Sequence, residues 1–167
     1  MSRQHTADEL DALYRGVGRC IWHIQYLEDV LHTYLALKIE IREPGRISEK
    51  EAHKLLTKHR RANLGTTLRT AENHAALPPE LLAELRGLKE ERDWLVHRSM
   101  HQEGDSLYTD EGRYAIFFRL DALMERTLAL KGKVAAEAMA FCASHGVSPR
   151  NAEQLAHEQI ARLRGDV

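Results

Sequence analysis

The sequence predicts an all-α fold, an antiparallel bundle of about five to six helices. Two capping boxes, which start at Thr6 and Ser48, are typical of helix N-termini. Apolar residues recur at intervals of three and four over most of the chain, which is the spacing of a helix with one buried face. Short segments that contain Gly or Pro separate these stretches and indicate short connections between helices.

The first helix is predicted over about residues 6–41, because apolar positions recur from Leu10 to Tyr34 behind the first capping box. At about 1.5 Å per residue it is about 50 Å long, which is more than a compact bundle of this size needs. We therefore expect it to serve as the spine of the bundle or as a partner surface. Gly16 and Gly18 within it predict a bend or a close approach of another helix.

Further helices are predicted between segments that contain turn residues, over residues 48–62, from residue 64, over 79–101, over 120–144 and over 149–164. Residues 105–118 leave two alternatives. Two apolar stretches flank Asp110-Glu111-Gly112-Arg113, which favours a small β-hairpin. Phe117 and Phe118 equally suit the beginning of a helix.

Length and composition set broad bounds on the function. The 167 residues predict one domain, and the net charge of −1 excludes a strongly basic surface, so nucleic-acid binding must use a local patch. Cys20 and Cys142 lie in apolar helical contexts, which predicts reduced core thiols. The first residues lead into no apolar signal segment, and no apolar run approaches the roughly 20 residues of a membrane span. A soluble, cytoplasmic protein without a membrane partner is therefore expected.

The strongest functional signal is the segment Arg92-Asp93-Trp94-Leu95-Val96-His97, an R-x4-H pattern with an acidic residue after the arginine. A fixed cation and an imidazole suit phosphodiester chemistry, because arginine holds phosphate charge and histidine moves protons near neutral pH. Asp93 and His97 are four residues apart and share a helix face, so the carboxylate can orient the imidazole. Arg92 and His97 are separated by roughly 140° on an α-helix, so Arg92 must reach round or a second chain must complete the site.

Three stretches together resemble the HEPN superfamily: residues 64–68, residues 77–81 and Glu91-Arg92-Asp93-Trp94-Leu95-Val96-His97-Arg98. HEPN proteins are small α-helical bundles with an R-x4-6-H motif, and many are metal-independent endoribonucleases of toxin or antiviral-defence systems. They typically dimerise so that two motifs face each other. The resemblance implies one HEPN-like domain over residues 1–167, with a core of about 6–145 and an additional helix of about 149–164.

The resemblance implies catalytic roles for Arg92, Asp93 and His97, with Asp93 at the position where Asn is commonest. It implies no cofactor and no metal. The expected partners are a second copy of the chain, an RNA substrate and an antitoxin or other regulatory protein. The alternative function is a non-catalytic helical dimer that acts as a binding or regulatory module.

The same residues also allow an ordinary structural interpretation. Arg92 and Asp93 suit a solvated helix face, and His97 suits a core position. Trp94 is predicted to pack in the core or in an interface and not to stack on a base, and Leu95 and Val96 are predicted to pack in the core. His97 and His101 stand four residues apart and could bind a metal, but no third ligand is evident.

Five further residues are candidates for RNA contact because their side chains are basic: Arg98, His101, Lys58, Arg60 and Arg61. Arg98 has the best claim, since it directly follows the motif. The stretch with Lys58, Arg60 and Arg61 equally suits a solvated helix face. No glycine-rich loop with the spacing of a phosphate-binding template appears.

Overall fold

The computed structural model describes residues 4–43 and 45–165, and within them the fold is all-α, as predicted. Seven α-helices follow one another in this order: α1 Ala7–Leu35, α2 Glu49–Arg60, α3 Leu64–Asn73, α4 Pro79–Asp93, α5 Ser99–Glu103, α6 Asp110–Ser144 and α7 Pro149–Arg164. Two π-helical segments, Ala36–Ile41 and Trp94–Arg98, continue α1 and α4, and a 3₁₀ turn covers Asp105–Tyr108.

Both predicted capping boxes are formed. The Thr6 hydroxyl accepts the Glu9 N–H at 3.2 Å, and the Glu9 carboxylate accepts the Thr6 N–H at 2.8 Å. Ser48 and Glu51 exchange the equivalent bonds, and these bonds lower the pKa of the Glu51 carboxyl. Because such caps satisfy the free N–H groups of a first turn, they define where α1 and α2 begin.

Of the two alternatives for residues 105–118 the hairpin is wrong, because Asp105–Tyr108 is a 3₁₀ turn, Thr109 is a single extended residue and α6 begins at Asp110. Thr109 is an N-cap whose hydroxyl accepts the Gly112 N–H at 3.1 Å, and two acidic residues occupy the first turn of α6. These are the signals of a helix start, and they outweigh the turn propensity of the sequence. Gly112 is needed for a different reason: the carbonyl of Ser106 lies where a Cβ would stand. α6 therefore begins ten residues earlier than the predicted helix.

The two long helices α1 and α6 form the largest helix pair and run parallel. Glu9 pairs with Arg113, Gly16 lies against Leu120, and further along Leu37 and Phe141 line one cavity. The predicted close approach at Gly16 is therefore confirmed. By contrast, α4 and α6 run antiparallel, as the sequence predicts for the bundle.

The core lies between α1, α3, α4 and α6. Its largest fully buried side chains include Tyr34, Leu27, Leu85 and Leu130. Cys20 is also fully buried, donates its thiol hydrogen to the Leu120 carbonyl at 3.2 Å and has its pKa raised by burial. Cys142 is half-buried, and both cysteines are free thiols.

The C-terminal part agrees with the sequence prediction. Gly146 ends the long helix with a φ of 78°, a left-handed conformation that glycine adopts without strain. α7 then begins at Pro149, which suits a first helical position. Among the described residues, no helix combines the length and the apolar character that crossing a bilayer requires.

Candidate functional site

The R-x4-H segment lies where α4 changes into a π-helix. α4 ends at Asp93, and Trp94–Arg98 is π-helical. The N–H of Ser99 donates to the carbonyl of Trp94, five residues earlier. Such π-helical turns inside α-helices are rare and occur frequently at functional sites.

The π-helical turn changes the relation between Arg92 and His97. A π-helix closes its hydrogen bonds over five residues, and an α-helix over four. A step of five residues across this segment therefore brings His97 closer to the face of Arg92 than the roughly 140° separation of an α-helix allows. The sequence pattern gave no sign of this local rewinding.

Arg92 is partly exposed and is held by the carboxylate of the neighbouring Asp93. Its side chain is 30% exposed, and Nη1 donates to Oδ1 of Asp93 at 3.2 Å. Glu28 on α1 lies close enough to sense the same charge. Burial raises the pKa of Glu28, and Arg92 offsets part of this rise. Nη1 of the guanidinium is therefore already hydrogen-bonded to Asp93, and this bond orients the side chain before any ligand binds.

Asp93 pairs with cations instead of the motif histidine. Lys89 Nζ donates to Oδ2 at 2.6 Å, and Arg92 contacts Oδ1. The hydrogen bond from Lys89, followed by that from Arg92, lowers the pKa of the Asp93 carboxyl. Within the described chain Asp93 makes no hydrogen bond to His97, so the expected orienting contact is not formed in a single subunit. Lys89 is a member of this cluster that the sequence analysis did not identify.

His97 is exposed, as are Arg98 and His101. Arg98 turns back along the helix and donates from Nη2 to the carbonyl of Glu90 at 3.1 Å. One arginine and two histidines thus form what we call the basic rim of the segment that carries the motif. The described residues contain no group of three or more His, Cys, Asp or Glu side chains arranged to hold a metal.

The residues between Arg92 and His97 divide into core and surface. Trp94 and Leu95 are buried, at 2% and 5% exposure, as the sequence predicts. The core prediction for Val96 is wrong, because this side chain is 45% exposed. The π-helical turn explains the difference, since it changes which residues face inward.

Arg119 of α6 holds the motif segment against the core, and the sequence analysis did not identify it. Its guanidinium lies 3.5 Å from the centroid of the Trp94 ring. Two parallel hydrogen bonds join it to Glu91 at 2.9 and 3.1 Å, and Nη1 lies 3.5 Å from Glu103 Oε1. Arg119 thus contacts residues before, within and after the π-helical turn. Only the three-dimensional fold brings these distant positions together.

The basic stretch on α2 is not part of this cluster. Arg60 makes two hydrogen bonds to Asp29, at 2.6 and 3.0 Å, and Lys58 pairs with Glu40 at 3.4 Å. Arg61 is exposed at the C-terminal end of α2. α2 packs on the C-terminal half of α1, where Asp29 directly follows Glu28, the carboxyl whose pKa responds to Arg92. Among the described residues no hydrogen bond or ion pair joins Arg60 to the motif residues.

An apolar groove of about 340 Å³ opens beside the motif, between α1, α5 and α6. We call it the motif groove and define it by Tyr14, Val17, Trp94, Ser99, Met100 and Glu103 in its wall. Tyr14 is 66% exposed and Met100 is 84% exposed, so both are available to a ligand. No pattern in the sequence indicated this groove, because its walls come from three separate helices.

No protein-family model matches this chain, and no curated protein or solved structure matches it significantly. The HEPN resemblance therefore depends on the motif residues and their helical setting.

Proposed function

We propose that this chain is a HEPN-type endoribonuclease that cleaves RNA without a metal, in a toxin or antiviral-defence role. The observation that carries the proposal is the π-helical turn across the R-x4-H segment. It brings a fixed guanidinium and an exposed imidazole toward one face, and the imidazole makes no hydrogen bond within the described residues. Such a pair can assist the cleavage of a phosphodiester, because the imidazole transfers protons and the guanidinium stabilises the charge that develops on the phosphate.

In the proposed reaction the 2′-hydroxyl oxygen of the RNA attacks the adjacent phosphorus. A new 2′-O–P bond forms and the P–O5′ bond breaks. One imidazole accepts the proton of the 2′-hydroxyl, and a protonated imidazole donates a proton to the departing 5′-oxygen. Arg92 stabilises the charge that builds on the phosphate oxygens. The products are a 2′,3′-cyclic phosphate and a 5′-hydroxyl.

This reaction uses two imidazoles, which supports a two-fold homodimer in which His97 of the partner subunit acts on the same phosphate. Asp93 then positions Arg92, because its carboxylate pairs with that guanidinium and with Lys89. An RNA substrate is the partner that Arg92 and the basic rim fit best, because arginine side chains bind phosphate. An antitoxin or other regulatory protein would be needed to restrain such an enzyme in the cell.

The second candidate function is a non-catalytic helical module that binds another protein. It is favoured by large aromatic side chains on the outer faces of the long helices, which are 50–74% exposed: Trp22, Tyr26, Tyr114 and Phe118. The pairing of Arg60 and Lys58 with carboxylates also favours it, because these cations are less available to RNA.

The test is incubation of the purified protein with total cellular RNA in excess chelator, beside His97→Ala. His53→Ala is the matched control, because His53 is an exposed histidine on α2, outside the motif segment. We expect cleavage by the parent and by His53→Ala, and a loss of about 10²–10⁴-fold for His97→Ala. Equal cleavage by all three proteins would contradict the proposed chemistry, and no cleavage by any would favour the non-catalytic module.

A further inference from the structure

The motif groove has the size and surface of a small-molecule site. Its volume of about 340 Å³ falls within the roughly 300–1,000 Å³ that such sites occupy. The Tyr14 ring and the Met100 thioether are largely exposed at its wall. A flat aromatic ligand gains from stacking on tyrosine and from contact with a polarisable sulfur.

Trp94 supplies a hydrogen-bond donor that the protein leaves unused. The ring lines the groove and is 2% exposed, yet Nε1 has no hydrogen-bond partner among residues 4–43 and 45–165. A buried donor without a partner is uncommon in proteins and costs free energy. An acceptor atom of a ligand would satisfy it if the ligand enters the groove deeply enough to reach Nε1.

The two other polar side chains of the groove are hydrogen-bond acceptors. The Ser99 hydroxyl donates its hydrogen to the Leu95 carbonyl at 2.8 Å, so only its lone pairs remain for a ligand. The Glu103 carboxylate can only accept hydrogen bonds, and Nη1 of Arg119 lies 3.5 Å from its Oε1. The groove therefore suits a flat ring that carries one acceptor and at least two N–H donors.

Positive charge lies beside the groove. Arg98 of the basic rim carries it, and this rim follows the groove residues Trp94 and Leu95 along the chain. A flat, hydrogen-bonding ring with an anionic group attached to it is a nucleotide. Because of this charge complementarity a nucleotide fits the groove better than an apolar peptide segment does.

We propose that the motif groove binds a nucleobase with an exocyclic amino group, next to the phosphate at Arg92 and His97. This inference rests on the proposed ribonuclease function and adds the base preference of the same site. Cytosine, adenine and guanine each carry an amino group with two hydrogens, whereas uracil offers one N–H donor. Uracil therefore leaves Ser99 or Glu103 without a donor, and the groove discriminates against it.

The test uses the full chain with His97→Ala, which we expect to cleave about 10²–10⁴-fold more slowly, and labelled oligocytidine and oligouridine of equal length. Fluorescence anisotropy measures each affinity. We expect oligocytidine to bind about tenfold more tightly, as one well-placed polar contact discriminates between bases. Glu103→Gln and Ser99→Ala should bring this ratio toward one.

The aromatic wall is tested in the same background. Tyr14→Ala should weaken oligocytidine binding about 5- to 150-fold, which is the range for loss of one stacked base, and Tyr14→Phe should keep it. Tyr114→Ala is the matched control, because this exposed tyrosine lies outside the groove.

In a Trp22→Phe variant Trp94 is the one remaining tryptophan, so added cytidine monophosphate should change its emission.

The outcomes separate this inference from the proposed function. Cleavage by the His97-intact protein, combined with equal binding of both oligonucleotides and no effect of Tyr14→Ala, would overturn the base site alone. Base-selective binding without cleavage by the parent would support the base site and overturn the nuclease. Tyr14→Ala or Met100→Ala that changes the oligomeric state but not RNA affinity would identify the groove as a protein interface and overturn the base site.

Discussion

The guanidinium carbon of Arg119 lies over the indole of Trp94, 3.5 Å from the ring centroid, and joins the middle of the motif segment to α6. The same side chain makes two hydrogen bonds to Glu91. Because Arg119 contacts both sides of the π-helical turn, we regard it as a positioning residue for Arg92 and His97.

Arg119→Ala should destabilise the protein by about 1–3 kcal/mol, because a stacked cation and a two-bonded ion pair are lost together. Arg126→Ala is the control: Arg126 also reaches from α6 to α4, but through one bond to the Glu84 carbonyl at an exposed position. Urea unfolding measures both variants. A loss for Arg119→Ala no larger than that for Arg126→Ala would show that the contact does not hold the segment.

His32 should make the stability of the fold depend on pH. Burial lowers the pKa of His32, and neighbouring His59 and Arg60 lower it further while Asp29 opposes them. Its Nε2 lies 3.0 Å from the Thr67 hydroxyl, which itself donates to Asn63, so Nε2 is the donor. The neutral imidazole is therefore the form that the core accommodates.

Since the folded pKa of His32 lies below the unfolded value, its contribution is complete above about pH 6.5 and is lost as the pH falls below it, at a limiting slope of about 1.4 kcal/mol per pH unit. We expect wild type to lose stability between about pH 7.5 and about pH 5.5. His32→Gln keeps a donor without titrating and should lose less. Equal losses in urea unfolding would contradict this.

Asp93 should make stability depend on pH in the same direction as His32, but in a more acidic range. Lys89 and Arg92 lower the pKa of its carboxyl, so the charged form contributes stability above the unfolded pKa and loses it as the pH falls through the folded pKa. Asp93→Asn should cost up to about 1 kcal/mol at neutral pH, as a partly exposed ion pair does, and progressively less as the pH falls below about 4, the ordinary pKa of an aspartate. If Asp93→Asn lowers the free energy of unfolding equally at neutral and at acidic pH, the loss comes from packing and not from the charge of the carboxylate.

Val96 should lie in a homodimer interface if two motifs face each other. It is an apolar side chain exposed directly beside His97. Val96→Glu should convert a dimer into a monomer in light scattering at tens of micromolar protein, roughly the range of ordinary dimer affinities. Phe118→Glu, on the outer face of α6, is the control and should remain dimeric. A monomeric wild type, or a dimer that only Phe118→Glu disrupts, would contradict the motif-facing arrangement.

The sequence was sufficient for the helices because their signals are local. Capping at Thr6 and Ser48 and the apolar periodicity of α1 depend on residues within a few positions of one another. The hairpin prediction failed at Thr109, where a helix cap and a turn-like run compete. The motif residues could be identified from their spacing, but the π-helical turn and the Arg119 and Lys89 contacts depend on tertiary packing. No local pattern encodes them.

Arg92 and His97 are proposed to cleave RNA through its own 2′-hydroxyl. The most direct measurement is end-group analysis of a defined RNA after incubation in excess chelator, beside the same RNA with a 2′-deoxy group at the cleaved position. We expect 2′,3′-cyclic phosphate and 5′-hydroxyl ends from the first RNA and no cleavage of the second. His97→Ala and Arg92→Ala should each lose about 10²–10⁴-fold in rate, and Asp93→Asn less. Cleavage of the 2′-deoxy substrate, or full activity of His97→Ala, would contradict the claim.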